Sequence, residues 1–368
     1  MKQRIIQAVY PSRLAHEAMQ LASPLSTVAV NRLADTFRQL DISTTERLRD
    51  SYSIAFPHLS AADIEEIVKK NWRSRFQAEH ERVQLNGMPR EQLIRFCQSN
   101  VETIGAEHLR AACESPEPVV FFTPHYGSFA VACLRVILDV EQHKTMSLFY
   151  DPPEVSPTTA MYKGLIERMG CNSKILLNDR TAVLKGLRAL KGGNALGIMP
   201  DVYEYSPGLM FVPFFGRLTI AMGGTAFFAL KSNARLIPVY CYRRARSRFV
   251  LQYGAPIELS RTGNFDRDIY RTTARIFANM QEQLTARPEH WVYWESLLDR
   301  FAYTPEVQLP VEGESWEERF SVLRETLAEE QSQLGKFLAS FEMRLRQGNA
   351  KGGAGESKGN ERKAVVNG

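Results

Sequence analysis

The stretch Val119-Val120-Phe121-Phe122-Thr123-Pro124-His125-Tyr126-Gly127-Ser128-Phe129-Ala130 runs from four apolar residues through a polar turn into a second apolar segment. The first run predicts a buried strand, and Ser128 is a good N-cap for the helix after it. A strand feeding a helix in this way is one unit of an α/β layer, and in open α/β sheets ligands bind just beyond the carboxyl ends of the strands. His125 stands where a catalytic base would be placed: an imidazole titrates near neutrality and can take a proton from an attacking hydroxyl or amine. Gly127 permits close backbone approach, and the amides of the helix start could stabilise a developing oxyanion. A lone histidine at such a turn also suits a purely structural, hydrogen-bonded role.

The same texture continues downstream. Short apolar runs at 146–150, 175–177, 195–199, 236–242 and 249–253 alternate with helical patterns. One crossover, 179–191, carries Val183, Leu184, Leu187 and Leu190 on one face and is stopped by Gly192-Gly193. Upstream, residues 1–114 read as helical, with Ile64, Val68 and Trp72 at helical spacing and Pro24, Pro57 and Pro89 separating the helices. Beyond Pro310, apolar residues from Trp316 to Leu345 recur at spacings of three, four or seven, which predicts a long amphipathic helix. That stripe can dock on the domain, pair with another subunit or lie on a membrane. Residues 348–368 hold six glycines and no aromatic, and are expected to be disordered. The expected fold class is α/β, a mixed sheet flanked by helices, with a helical region over 1–114, a core over 115–310, a helix over 311–347 and a tail over 348–368.

With 44% hydrophobic and 24% charged residues in 368, the chain is long enough for a proper core and unlike a disordered or fibrous sequence. The net charge of +5 is too small to argue for nucleic acid, but it suits an anionic membrane surface or an acidic protein partner. Five scattered cysteines, with no C-x-x-C pair, indicate neither a disulfide framework nor a zinc ribbon. No cofactor and no metal site are expected. No apolar run reaches the ~20 residues of a membrane-spanning helix, and Arg13, His16 and Glu17 rule out a signal-peptide core after Ile5 and Ile6. The first 40 residues carry five Lys/Arg against two Asp/Glu, which predicts weak, salt-sensitive attachment to anionic bilayers.

The segment around His125 resembles the first motif, H-x-x-x-x-D/E, of the lysophospholipid acyltransferase-like superfamily. More specifically, residues 43–295 resemble the bacterial lipid A biosynthesis late (lauroyl and myristoyl) acyltransferases. Ala55-Phe56-Pro57-His58-Leu59-Ser60 is similar to that family's "FP.LS" region, and Ile104-Gly105-Ala106-Glu107-His108-Leu109 to its "GLEHL" lead-in. Asp201 followed by Gly208-Leu209-Met210-Phe211-Val212-Pro213-Phe214-Phe215-Gly216 is similar to its "DQ…G.FVPFFG" block. Gly223-Gly224-Thr225-Ala226 and Pro288-Glu289-His290-Trp291-Val292-Tyr293-Trp294 complete the series. Read for themselves, Asp201 suits a turn or cap, 212–215 a buried strand or the wall of an acyl groove, and Trp291, Tyr293 and Trp294 core or interface aromatics.

The resemblance implies acyl transfer from an acyl carrier protein or CoA thioester to a hydroxyl or amine, with His125 as general base. It implies substrate contacts at Tyr126, Gly127, Ser128, Asp201, Phe214, Phe215 and Gly216, and a peripheral position on the cytoplasmic face of the inner membrane. Two departures qualify it. The motif acid is replaced by Ala130, so Asp201, Glu204 or a backbone carbonyl must orient His125 if it acts. Where the family commonly has an arginine after the tyrosine of the next strand, this chain reads Tyr150-Asp151, which disfavours a phosphate-bearing lipid A precursor. The expected function is a divergent acyltransferase. The alternative is a catalytically impaired protein of the same fold that binds acyl thioesters or lipids, or an interaction scaffold working through the helix after Trp316, which could also support an oligomer.

Overall fold

A computed structural model describes residues 27–156, 158–202, 209–245 and 247–300; the expected C-terminal helix, the tail, Glu204 and residues 1–26 lie outside the described residues. Four helices come first: α1 (Thr27–Leu40), α2 (Ile42–Ala55), α3 (Ala61–Gly87) and α4 (Arg90–Asn100). Their starts follow local chemistry. The Asp41 carboxylate accepts from Thr44 N at the head of α2, and Ser60 and Asp63 form a capping box on α3. Pro57 lies between α2 and α3, and Pro89 precedes α4.

The sheet layer then follows as β1 (Val101–Ile104), α5 (Ala106–Glu114), β2 (Val119–Phe122), α6 (Phe129–Val140), β3 (Met146–Tyr150), α7 (Thr158–Met169), β4 (Lys174–Leu177), α8 (Ala182–Leu190) and β5 (Ala195–Ile198). It continues with β6 (Leu209–Phe214), β7 (Arg217–Met222), α9 (Gly224–Ser232), β8 (Arg235–Ala245), β9 (Arg248–Tyr253) and α10 (Phe265–Ala286). Two 3-10 turns, Pro288–His290 and Val292–Ser296, lead into α11 (Leu297–Arg300). The helical reading of 1–114 is thus corrected at β1, a strand of four residues with only Val101 buried. So short and half-exposed an edge strand leaves little pattern in a sequence.

Seven strands form one mixed sheet in the order β1-β9-β8-β2-β5-β3-β4, parallel throughout except for the β8–β9 hairpin. Central strand β2 is buried on both faces. Val120 and Phe122 enter one apolar cluster, with α1–α3, α9 and α10; Val119 and Phe121 enter the other, with α4, α6 and α7. β6 and β7 make a separate antiparallel ribbon whose two-residue turn, Phe215-Gly216, has φ of 48° and 70°. Both positive values match the primed turns that suit strand twist. Pro213 is tolerated in this two-stranded ribbon because no third strand demands its missing N–H.

Candidate active site

Register places the key pair. β2 and β5 run parallel with Phe122 opposite Ile198, so His125 and Asp201, each three residues further on, emerge side by side at the carboxyl edge. His125 Nδ1 lies 2.9 Å from Asp201 Oδ1, and the His125 backbone N–H donates to Oδ2 at 2.7 Å. An ionised carboxylate only accepts, so Nδ1 carries the proton and the lone pair resides on Nε2. No hydrogen bond among the described residues engages Nε2, and the ring keeps 14% side-chain exposure while the Asp201 side chain has none. The imidazole is held edge-on between Phe129 and Tyr293, with centroids 5.6 and 5.0 Å away. Of the orienters open to His125, the structure brings Asp201 into contact; Glu204 lies outside the described residues.

Burial alone would raise the Asp201 carboxyl. The neighbouring His125, its hydrogen bond, Arg300 and the Trp291 indole outweigh that penalty and hold the group below the usual carboxylate range. Trp291 Nε1 donates to Oδ2 at 2.9 Å, and Arg300 donates to the Asp201 backbone carbonyl at 2.5 Å while lying 4.4 Å from the Tyr293 ring centroid. The sequence reading names Trp291 only as a core or interface aromatic and does not name Arg300. A buried indole needs an acceptor for its N–H, the one signal that points to Trp291; Arg300 has no motif around it. Trp291→Phe keeps the ring but removes that donor. It should lower kcat about tenfold with little change in KM, since a hydrogen bond to a charged group contributes about 1.5 kcal/mol. A kcat equal to wild type would show that the indole only fills space.

The turn itself is fixed by a second strand-like contact. Gly127 N–H donates to His290 O at 2.8 Å, and Val292 N–H donates to His125 O at 2.9 Å, with Tyr126 bridged antiparallel to Trp291. Helix α3 holds this segment from behind: Asn71 Nδ2 donates to the carbonyls of Glu289 and Trp291, and Ser74 Oγ lies 2.9 Å from His290 Nδ1. Gly127 has φ +53°, and a Cβ there would meet Cys241 O at 2.3 Å. Gly127→Ala should therefore destabilise the fold by about 3 kcal/mol, because neither the left-handed backbone nor the Cys241 carbonyl can yield cheaply. Urea unfolding reads this directly; an unchanged midpoint would contradict it.

The other expected site residues are placed as follows. Tyr126 is wholly buried, edge-on to Tyr240 and His290. Ser128 occupies the N-cap position of α6 without a side-chain capping bond, and its amide donates to Cys241 O at 3.1 Å. The amides of both Gly127 and Ser128 are thus satisfied by carbonyls. Phe214 and Phe215 are buried in an aromatic cluster with Phe56, Trp291 and Trp294, and Phe214 lies edge-on to the Trp291 ring that donates to Asp201. Gly216 is the exposed tip of the ribbon. Ala130 is 4% exposed within the apolar cluster that also contains Val131 and Leu134. Asp151, beyond β3 on the same sheet edge as His125, accepts from Asn178 Nδ2 at 3.2 Å. Among the described residues no three His, Cys, Asp or Glu side chains converge as metal ligands.

The family model described as bacterial lipid A biosynthesis acyltransferase matches residues 18–301, well over half of the chain. The chain belongs to the bacterial lipid A biosynthesis acyltransferase family. No individual curated protein matches it. The fold of this acyltransferase-family chain is the expected α/β arrangement, a mostly parallel mixed sheet flanked by helices. Membership supports acyl transfer in lipid biosynthesis as the general activity, with an acyl donor and a lipid acceptor in general. No helix among the described residues is long and apolar enough to cross a membrane.

Proposed function

We propose that the protein moves an acyl chain from an acyl carrier protein or CoA thioester to a hydroxyl or amine acceptor, with His125 as general base and Asp201 as its carboxylate partner. The observation that carries this reading is the 2.9 Å contact between His125 Nδ1 and a carboxylate with no exposed side-chain surface. With Nδ1–H committed to Asp201, Nε2 takes the proton of the acceptor O–H or N–H as that atom attacks the thioester carbonyl carbon. Collapse of the tetrahedral intermediate breaks the C–S bond, and the departing thiolate receives the proton back from Nε2. Asp201 stabilises the imidazolium formed between these steps, the role the motif acid would have at position 130. The oxyanion falls to the first-turn amides of α6, beginning at Phe129, since those of Gly127 and Ser128 are occupied.

Transfer is direct in this scheme. Burial pushes the Cys113 and Cys133 thiols up to about 11 and Cys97 up to about 12, far from a nucleophile active near neutrality. Asp151 at the same sheet edge argues for an acceptor without a phosphate at that point, a specialised lipid or metabolite rather than the usual lipid A precursor. Peripheral attachment to the cytoplasmic face of the inner membrane fits such an acceptor and the basic first 40 residues. The competing reading, a protein that binds acyl thioesters without turnover, draws its support from Ala130; the carboxylate of Asp201 weakens that support. Mass spectrometry of the purified protein with acyl carrier protein or CoA thioesters and a lipid extract decides between them. An acceptor gaining the acyl mass, with release of free thiol, is expected. Tight thioester binding with no product would instead establish the binding protein.

A further inference from the structure

Helix α8 and its flanks hold most of the chain's charge excess. Residues 174–191 contain Lys174, Arg180, Lys185, Arg188 and Lys191 against Asp179 alone, five minus one, or +4 of the +5 on all 368 residues. Lys185 is committed to Asp179 at 2.5 Å. Arg180, Arg188 and Lys191 form no ion pair among the described residues. Gly186 and Leu190 seat the helix on its inner face, where a Cβ at Gly186 would meet the Phe228 ring at 2.5 Å. That contact fixes the rotation of the helix. Against the single apolar face expected from the sequence, Leu187 and Leu190 pack inward while Val183 and Leu184 are exposed, together with Arg180 in the turn before the helix, Arg188 on it and Lys191 at its C-cap. Val183 is 51% and Leu184 57% exposed. Two aliphatic side chains so open to water gain nothing from the fold itself.

Because α8 follows parallel strand β4, its first turn lies at the carboxyl edge of the sheet, the edge that carries His125 and Asp201. Val202, one residue past Asp201, is also 43% exposed there. We infer that the outer face of α8 is a contact for an anionic bilayer, with Val183 and Leu184 entering the headgroup–acyl boundary and Arg180, Arg188 and Lys191 on lipid phosphates. One cation lies a turn before the aliphatic pair and two lie after it, which lets the apolar groups sink while the long charged side chains stay at phosphate level. The orientation brings the mouth of the site to the interface, so an acceptor lipid reaches Nε2 without leaving the leaflet entirely. That functional sense rests on the acyl-transfer reading; the contact itself does not.

The test is sedimentation of the full chain with phosphatidylethanolamine/phosphatidylglycerol vesicles and with phosphatidylcholine vesicles. Wild type should prefer the anionic vesicles. The triple variant Arg180→Gln, Arg188→Gln, Lys191→Gln should weaken partitioning to the anionic vesicles about tenfold, and Val183→Asn with Leu184→Asn about as much, both with unchanged melting. Folded variants that sediment like wild type, or a wild type that stays in the supernatant, would overturn the inference. So would unchanged vesicle binding joined to a raised KM for an acidic acyl carrier protein thioester, which would assign the face to a protein partner. Failure of the catalytic reading is seen separately, as full transfer by His125→Ala, and leaves the vesicle result standing.

Discussion

Asp201→Asn is expected to lower kcat by about 10⁴, close to the loss in His125→Ala, with the double variant hardly worse than either alone. The reason lies in the tautomer. An asparagine at 201 can still accept from the His125 backbone N–H and the Trp291 indole through one oxygen, as the carboxylate does now. Its NH₂ would then face Nδ1 and favour the proton on Nε2, the nitrogen that must be free to receive the acceptor's proton. The neutral amide also cannot stabilise imidazolium. Steady-state rates beside melting curves measure this, and a folded Asp201→Asn within tenfold of wild type would show that the contact is structural. A stability signature goes with it. The Asp201 carboxyl is held below its ordinary range in the fold, so its contribution is complete above that range and is lost as pH falls through the lowered value. Asp201→Asn should be less stable near neutrality and flatter through that acid window.

What could be read in the sequence, and what could not, follows from the range of the interactions. Strand β2, the turn at His125 and the stop of α8 at Gly192-Gly193 are written in contiguous residues, and both glycines do take positive φ, 79° and 80°. The Asp201 link is different. It spans 76 residues and depends on β2 lying beside β5 in one particular register, which no local pattern specifies. The sequence therefore supplies Asp201 only as one of several orienters. The anchoring of the His125 turn by the 288–294 segment is equally non-local, since aromatics at Trp291, Tyr293 and Trp294 read the same whether they fill a core or hold an aspartate. The Phe215-Gly216 turn carries no local signal either, because an aromatic residue at positive φ is too rare to mark a turn.

Ala130→Glu, which recreates the family's motif acid, is expected to reduce activity rather than raise it and to destabilise the protein by about 3 kcal/mol. The cost comes from the surroundings. Position 130 sits in the first turn of α6, 4% exposed, in an apolar cluster with Val131, Leu134 and Ile137. A carboxylate there either stays charged without a partner or takes up a proton, and the larger side chain must also displace packed neighbours. Nothing on the imidazole compensates, because Nδ1 is already committed to Asp201, and a second carboxylate drawn to the ring would pull it away from Phe129 and Tyr293. Ala130→Gln separates volume from charge: it should share the steric part of the loss and spare the part that depends on pH. Urea unfolding and kcat on the three proteins resolve these contributions. An Ala130→Glu enzyme faster than wild type, beside an Asp201→Asn that loses little, would place the working carboxylate on α6 and reduce Asp201 to a clasp between β5, Trp291 and the His125 turn.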